Sequence, residues 1–153
     1  ATRIPRREFI ATGGLGTATV LAIGGRCEAS EVDAVLPSDK ALKALKEKPD
    51  NGPVVMLNLL KYDSRGGPAA FRRYAAAASK LVRRAGARVL FSGTGEQLLV
   101  GANEWDAIIL VQYPSRKAFL DMIASREYRA ISHQREGALE RAVLYAITPA
   151  RQA

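Results

Sequence analysis

The last two-thirds of the chain alternates between strand-like and helix-like patterns of apolar residues. Residues 107–113 form an apolar run rich in β-branched side chains, bounded by polar residues before it and by Pro114 after it, which is typical of a buried strand. Residues 97–101 are predicted to extend the sheet or to re-enter it. Three other segments also have strand character: residues 54–62, 87–95 and 140–147.

A long helix is predicted between the first two strands. It starts at Pro68, which suits a first helical turn, and runs to Ala85, because Gly86 is the expected left-handed stop. Apolar residues recur along it at helical spacing and predict its buried stripe: Phe71, Ala75, Ala78, Leu81 and Val82. The basic residues lie off this stripe and predict a solvated face: Arg72, Arg73, Lys80, Arg83 and Arg84.

A second helix follows the strand at residues 107–113. Ser115 can cap it, because its side chain can accept a hydrogen bond from a free amide of the first turn. Ser125 is predicted to restart the helix. The residues predicted to face inward are Phe119, Met122 and Ile123 before the restart and Tyr128 and Ile131 after it.

The order of these elements, β-α-β-β-α-β, predicts an α+β fold of the ferredoxin-like type. Its four-stranded antiparallel sheet carries helices on one face only. The other face is then apolar and uncovered, which a water-exposed domain does not tolerate. We therefore expect a homodimer in which two sheets pack together as a dimeric α+β barrel.

Domain boundaries follow from breaks in these patterns. Residues 53–149 form the predicted domain and residues 150–153 a tail. Residues 30–52 form a linker with a short helix at residues 40–48, which is expected to pack as an arm on the domain or on a partner.

Residues 1–29 have the organisation of a signal peptide. Arg6 and Arg7 precede Phe9 and Ile10, and no charge occurs from there to Gly25. This pattern resembles the twin-arginine export motif and predicts a periplasmic or other extracytoplasmic location. Cleavage is expected after residue 29; the alternative is an uncleaved membrane anchor, although 17 apolar residues reach only about 25 Å as a helix.

Composition narrows the classes of function. The chain has 153 residues and a net charge of +8, and four Arg and two Glu lie in residues 1–29. The remaining basic residues lie along helical faces without interleaved aromatics, so nucleic-acid binding is not predicted. Cys27 and His133 are the single cysteine and histidine, which excludes an internal disulfide and multi-histidine or thiolate metal sites. Haem ligation by His133 would lack a second predicted ligand, so no cofactor is predicted.

Asn58 and His133 are the candidate catalytic residues. Asn58 shares the face of its strand with Met56 and Leu60, so its amide either satisfies a neighbouring backbone group or faces a ligand cavity. His133 is the natural general base, because its unperturbed pKa is near neutrality, and Asn58 would then donate to a developing oxyanion. The aromatic residues predicted to line the ligand cavity are Tyr62, Trp105, Tyr113 and Tyr128.

Four short segments carry a resemblance to a known family: Val-Met-Leu-Asn-Leu-Leu-Lys at residues 55–61, Trp-Asp-Ala-Ile-Ile-Leu-Val at 105–111, Tyr-Pro-Ser-Arg-Lys-Ala-Phe at 113–119 and Ser-Arg-Glu-Tyr at 125–128. The chain resembles the uncharacterised family labelled domain of unknown function 1330. The resemblance implies a dimeric α+β barrel and no particular reaction, because fold alone does not determine function.

Two classes of function remain open. One is an exported protein that binds a small molecule, or a cofactor-free enzyme acting on a small aromatic or carbonyl compound. The other is a non-catalytic accessory protein or subunit of a larger assembly, held at the membrane only if its N-terminal segment is retained. A cavity of roughly 300 Å³ or more inside the domain, on which Asn58 and His133 converge, would favour the first class, whereas a closed dry core would favour the second.

Overall fold

A computed structural model describes residues 34–150. Residues 1–33 and 151–153 lie outside the described part, and with them the predicted signal peptide and its cleavage position. The elements are α1 (Asp39–Lys46), β1 (Val54–Tyr62), α2 (Gly67–Arg84), β2 (Arg88–Thr94), β3 (Ala107–Tyr113), α3 (Arg116–Ala124), α4 (Arg126–Glu136) and β4 (Leu139–Ile147).

The sheet confirms the predicted fold. Its four strands are ordered β2-β3-β1-β4, and each neighbouring pair is antiparallel. This is the ferredoxin-like arrangement, in which the first strand lies between the third and the fourth. The central strand β1 therefore pairs along its length with β3 on one side and with β4 on the other.

The predicted extra strand at residues 97–101 is not formed. After β2 the Gly95 amide donates to the Asp106 carbonyl at 3.0 Å, and a Cβ at Gly95 would lie 1.9 Å from the Trp105 carbonyl oxygen. The close approach of these two backbones joins the ends of β2 and β3, and the residues between them form an exposed connection. Leu99 and Val100 are accordingly 82% and 92% exposed.

Two serines divide the second helical segment as the sequence predicts. The Ser115 hydroxyl accepts from the Ala118 amide at 3.0 Å and caps α3. The Ser125 hydroxyl accepts from the Tyr128 amide at 3.1 Å and donates to the Met122 carbonyl at 2.6 Å. Ser125 thus ends α3 and caps α4, and the chain changes direction between them.

The helices of the described chain lie on one face of the sheet. Residues of α2, α3 and α4 meet the side chains of Met56 and Asn58 from β1 and of Ile109 and Val111 from β3. The short helix α1 joins the same layer, because Leu42 and Leu45 pack against a core cluster that contains Met56. None of the described helices is long and apolar enough to cross a membrane.

The opposite face of the sheet is apolar. Residues directly opposite each other in antiparallel strands share a face, and successive residues alternate between faces. Leu57 pairs with Leu110 on β3 and with Tyr145 on β4, and these three side chains therefore lie on the face away from the helices. Leu59, Ile108 and Val143 form the next row on this face. Tyr145 is 63% exposed, so the predicted uncovered apolar surface is present in the described chain.

Asp106 connects the start of β3 to the end of β1. Its carboxylate accepts from the Tyr62 amide at 2.8 Å and from Lys61 Nζ at 2.9 Å, and its own amide donates to the Leu60 carbonyl at 2.8 Å. Burial acts to raise the pKa of Asp106, but the bonds from Lys61 and Tyr62 and the charges of Lys61 and Arg141 outweigh it, so the pKa lies below its usual value.

We expect Asp106→Asn to lower the free energy of unfolding by about 1 kcal/mol at neutral pH, because a charge-assisted bond to a backbone amide is lost. A carboxyl group with a lowered pKa stabilises the folded state above its unfolded pKa, and this contribution is lost as the pH falls through the folded pKa. The difference between wild type and variant should therefore shrink below about pH 4 in urea titrations. Asp121→Asn, in an exposed pair with Lys117, is the matched control; an equal effect of both variants would contradict the role of Asp106.

Candidate functional site

A cavity of about 470 Å³ lies between the helical layer and the sheet. The buried core of the described chain is divided into two clusters, one around Leu60, Phe71 and Tyr74 and the other around Val54 and Phe119. Members of both clusters line the cavity. Small side chains of α2 leave this space open, since Ala75 and Ala78 face β1 and β3 where larger residues would fill the layer.

Arg135 is the buried charged group in the lining of this cavity. It lies in the last turn of α4 and is only 6% exposed. Its Nε donates to the Val35 carbonyl at 3.1 Å, and its Nη2 donates to Asn58 Oδ1 at 3.4 Å. Its guanidinium also lies over the Tyr74 ring, 6.0 Å from the centroid. No carboxylate among residues 34–150 forms an ion pair with it.

The Asn58 side chain on β1 both bonds to neighbouring backbone groups and lines the cavity. Its Nδ2 donates weakly to the backbone carbonyls of Met56 at 3.4 Å and Ile109 at 3.5 Å. Its Oδ1 accepts from Arg135, and the side chain lines the cavity. The amide therefore connects the strand to the buried guanidinium of α4.

Tyr74 and Tyr128 form a hydroxyl pair in the cavity wall, with their oxygens 3.3 Å apart. Burial, followed by the neighbouring Tyr74, raises the pKa of Tyr128 well above its usual value. Burial likewise raises the pKa of Tyr113, whose hydroxyl donates to the Met122 sulfur at 3.7 Å. These phenols therefore stay protonated at neutral pH and act as hydrogen-bond donors.

The mouth of the cavity is positively charged. The exposed Arg83 at the end of α2 lines it, whereas the side chain of Arg88 at the start of β2 shares the opposite face of the sheet with Gln112. The Arg88 guanidinium donates to Gln112 Oε1 at 2.9 and 3.0 Å, so its described side-chain partner is neutral. No acidic side chain of the described residues lines the cavity, whereas those of Arg83 and Arg135 do.

Three of the six predicted site residues meet in this cavity: Asn58, Tyr113 and Tyr128. Tyr62 is not among the residues that line it; its ring packs 5.5 Å from that of Phe71, beside the first core cluster. Trp105 precedes β3 and lies under Arg141, 5.3 Å from the guanidinium carbon to the ring centroid.

The structure places His133 outside the cavity. It is exposed on α4, and α4 turns about 200° between this position and Arg135, so the two side chains point in different directions. A general-base role for His133 in this cavity is therefore not supported by its position. Asn58, which was to act with it, instead pairs with Arg135.

Sequence reasoning missed two residues of the site, Tyr74 and Arg135. Tyr74 follows Phe71 by three positions and precedes Ala78 by four, which places it on the apolar stripe of α2. Arg135 follows Ile131 by four positions and Tyr128 by seven, so helical spacing places it on the same inward face as these two residues. From sequence alone, an arginine at such a position is predicted to be exposed to solvent, and only the structure shows that it is buried.

The profile of one family, described as domain of unknown function (DUF1330), matches residues 62–147. The chain belongs to the DUF1330 family. The match covers more than half of the chain and includes α2 to β4, with the cavity residues Tyr74, Tyr128 and Arg135. No curated protein matches the chain.

Solved structures agree with the fold. The protein of unknown function RPA0582 from Rhodopseudomonas palustris is 26% identical, with a TM-score of 0.71 over 77% of this chain and 98% of its own. The Arabidopsis thaliana protein At3g17210 is 13% identical, with a TM-score of 0.54 over 65% and 98% of the two chains. A candidate antibiotic biosynthesis monooxygenase from Caulobacter crescentus CB15 is 14% identical, with a TM-score of 0.50 over 65% and 92%. The last two likenesses concern the fold alone.

Proposed function

We propose that this DUF1330 protein binds a small organic molecule in the cavity between its sheet and its helices. The observation that carries this proposal is the cavity itself, which measures about 470 Å³ and has mostly apolar walls with a few polar groups. Ligand sites in proteins typically have this size and this combination of lining residues. A domain with a purely structural role would gain stability from filling such a space.

The described cavity is better suited to binding than to proton transfer. Its polar side chains include the phenols of Tyr113 and Tyr128, whose pKa is raised by burial, together with the Asn58 amide and the Arg135 guanidinium. A general base needs a pKa near the working pH, and no lining side chain of the described residues is a histidine or a carboxylate. Binding is therefore the function that these groups support best.

Filling the cavity should weaken the binding of a small aromatic probe. Ala78→Leu adds atoms to the cavity wall, and we expect at least about tenfold weaker binding of N-phenyl-1-naphthylamine, a neutral aromatic probe whose fluorescence rises in apolar sites. The free energy of unfolding should change by less than about 1.5 kcal/mol, because the new atoms enter open space. Fluorescence titration and urea unfolding measure the two effects.

Ala76→Leu is the matched control, because Ala76 lies on the same helix and is exposed. It should leave the titration unchanged. Equal probe binding by wild type, Ala78→Leu and Ala76→Leu would place the probe outside the cavity and contradict the proposal. Such a result would favour the accessory role.

We also propose that the protein is a homodimer whose subunits pack sheet against sheet. Support comes from the apolar face around Leu57, Leu110 and Tyr145, which the described helices leave uncovered. A stable interface buries about 800 Å² on each partner, which is of the order that a four-stranded sheet presents. A second copy offers the same apolar surface and closes the assembly by symmetry.

Leu110→Glu should convert the dimer to a monomer, because it places a charge in the middle of this face. Light scattering after size-exclusion chromatography should give the mass of two chains for wild type and of one chain for the variant at about 10 μM, a concentration at which a stable dimer is fully formed. Ala76→Glu introduces the same charge on the outer surface of α2 and should remain dimeric. A wild-type protein with the mass of one chain would refute this arrangement.

We further propose export through the twin-arginine route. The support is the sequence of residues 1–29, in which Arg6 and Arg7 precede an uncharged stretch that ends at Gly25. Export of a folded domain by this route is compatible with a ligand acquired before transport.

Replacing Arg6 and Arg7 together by Lys should retain the protein in the cytoplasm, because the route requires the arginine pair rather than positive charge. Cell fractionation with immunoblotting measures the distribution, and mass spectrometry of the exported form reports the cleavage position. Arg3→Lys, in the same segment, should leave export intact. Unchanged export of the double variant would show that another route is used.

A further inference from the structure

We propose that the ligand is an amphipathic organic carboxylate, with its carboxylate bound by the buried guanidinium of Arg135 and its apolar body in the cavity. This inference rests on the proposed binding function and names the chemical class of the ligand. It is carried by the position of a buried cation beside an apolar cavity.

Burying a cation without an anionic partner is costly, and buried charges in proteins are normally paired. Within residues 34–150, the partners of Arg135 are neutral: a backbone carbonyl, the Asn58 amide and the face of a tyrosine ring. The described bonds occupy Nε and one proton of Nη2. Nη1 and the second proton of Nη2 have no described partner, and the residue lines the cavity. A ligand anion would supply the counter-charge that residues 34–150 do not.

The chemistry of the guanidinium favours a carboxylate. Two parallel N–H groups at the Nη1 and Nη2 end match the two oxygens of a carboxylate, and such pairs are among the strongest hydrogen bonds in proteins. A single buried arginine balances the single charge of a carboxylate, whereas a phosphate monoester carries up to two charges at neutral pH.

The neighbouring hydroxyls can add to this site. In the Tyr74 and Tyr128 pair, one hydroxyl donates to the other, so the second hydroxyl keeps a proton that it can donate elsewhere. Burial keeps the Tyr128 phenol protonated, so it remains a donor beside an anion. Arg135 lies against the Tyr74 ring, which brings the cation and the hydroxyl pair to the same part of the cavity.

The positive charge of the cavity lining also favours an anionic ligand. The exposed Arg83 lines its mouth, Arg135 lies inside, and no described acidic side chain lines it. Positive charge at the mouth of an apolar cleft raises the local concentration of anions and their rate of association. The rest of the wall is suited to an apolar body, with side chains such as Val82, Phe119 and Ile123.

The test compares two ligands of almost identical shape on the full-length protein. 2-Naphthoate and 2-naphthamide differ in the charge of one group, and isothermal titration calorimetry gives the affinity of each. We expect 2-naphthoate to bind about tenfold or more tightly than 2-naphthamide, as the loss of a charge-assisted bond implies. Equal affinities, or tighter binding of 2-naphthyl phosphate than of 2-naphthoate, would overturn the carboxylate assignment.

Substitutions place the effect at Arg135. Arg135→Met keeps an unbranched side chain as long as the arginine stem but removes the guanidinium, and it should reduce 2-naphthoate affinity to that of 2-naphthamide. Arg129→Met, at an exposed position of the same helix, should leave the preference for the carboxylate unchanged. Loss of the preference in both variants would contradict a specific role of Arg135.

Asn58→Asp provides a test that leaves Arg135 in place. The new carboxylate would pair with the guanidinium at the position of the present 3.4 Å bond and would compete with a ligand anion. We expect binding of 2-naphthoate to fall about tenfold or more, with binding of 2-naphthamide largely retained. Retained preference for 2-naphthoate in this variant would overturn the inference even if Arg135→Met fails to fold.

The outcome for the ligand class is separable from that for binding itself. If N-phenyl-1-naphthylamine binds in a manner that Ala78→Leu abolishes, while 2-naphthoate and 2-naphthamide bind equally, the cavity is a binding site and the carboxylate assignment fails. If neither the neutral probe nor either naphthalene derivative binds, both proposals fail.

Discussion

The alternation of side chains along β1 is the constraint on which both surfaces of this domain depend. The strand is central and pairs on both sides, so its register cannot shift without moving every side chain to the other face. One set of positions, including Met56 and Asn58, faces the helices and the cavity. The intervening set, including Leu57 and Leu59, faces the proposed partner. The cavity and the proposed interface therefore lie on the two faces of the same strand.

The cavity exists because the helical layer is supported at its two ends rather than along its whole length. One core cluster forms around Phe71 and Tyr74, the other around Phe119 and Tyr113, and small residues such as Ala78 leave space between them. Arg135 reaches this space from the last turn of α4 and connects it to Asn58 on β1 and to Val35 before α1. Burying a charge in such a network is costly unless a counter-charge balances it. The proposed anion would therefore also stabilise the folded domain.

The fold could be predicted from the sequence, but only some of the residues that line the cavity could. Strand β3 and strand β1 have the predicted bounds, and Ser115 and Ser125 cap the helices as their positions predict. The prediction of a strand at residues 97–101 was wrong, because apolar content alone does not show that a partner strand is within reach. His133 was chosen for its intrinsic pKa, whereas a residue's place in a site depends on the direction in which its helix turns it.

The amino-acid sequence by itself determined the order of the elements, the serine caps of α3 and α4 and the apolar second face of the sheet, because these follow from local periodicity and capping. The DUF1330 resemblance was also visible in it. Only the tertiary structure decided that Arg135 is buried, that it meets Asn58 across 77 residues of chain, and that Tyr62 and Trp105 lie outside the cavity. Such facts depend on how α4 is rotated against the sheet, and that rotation results from the packing of all the elements together.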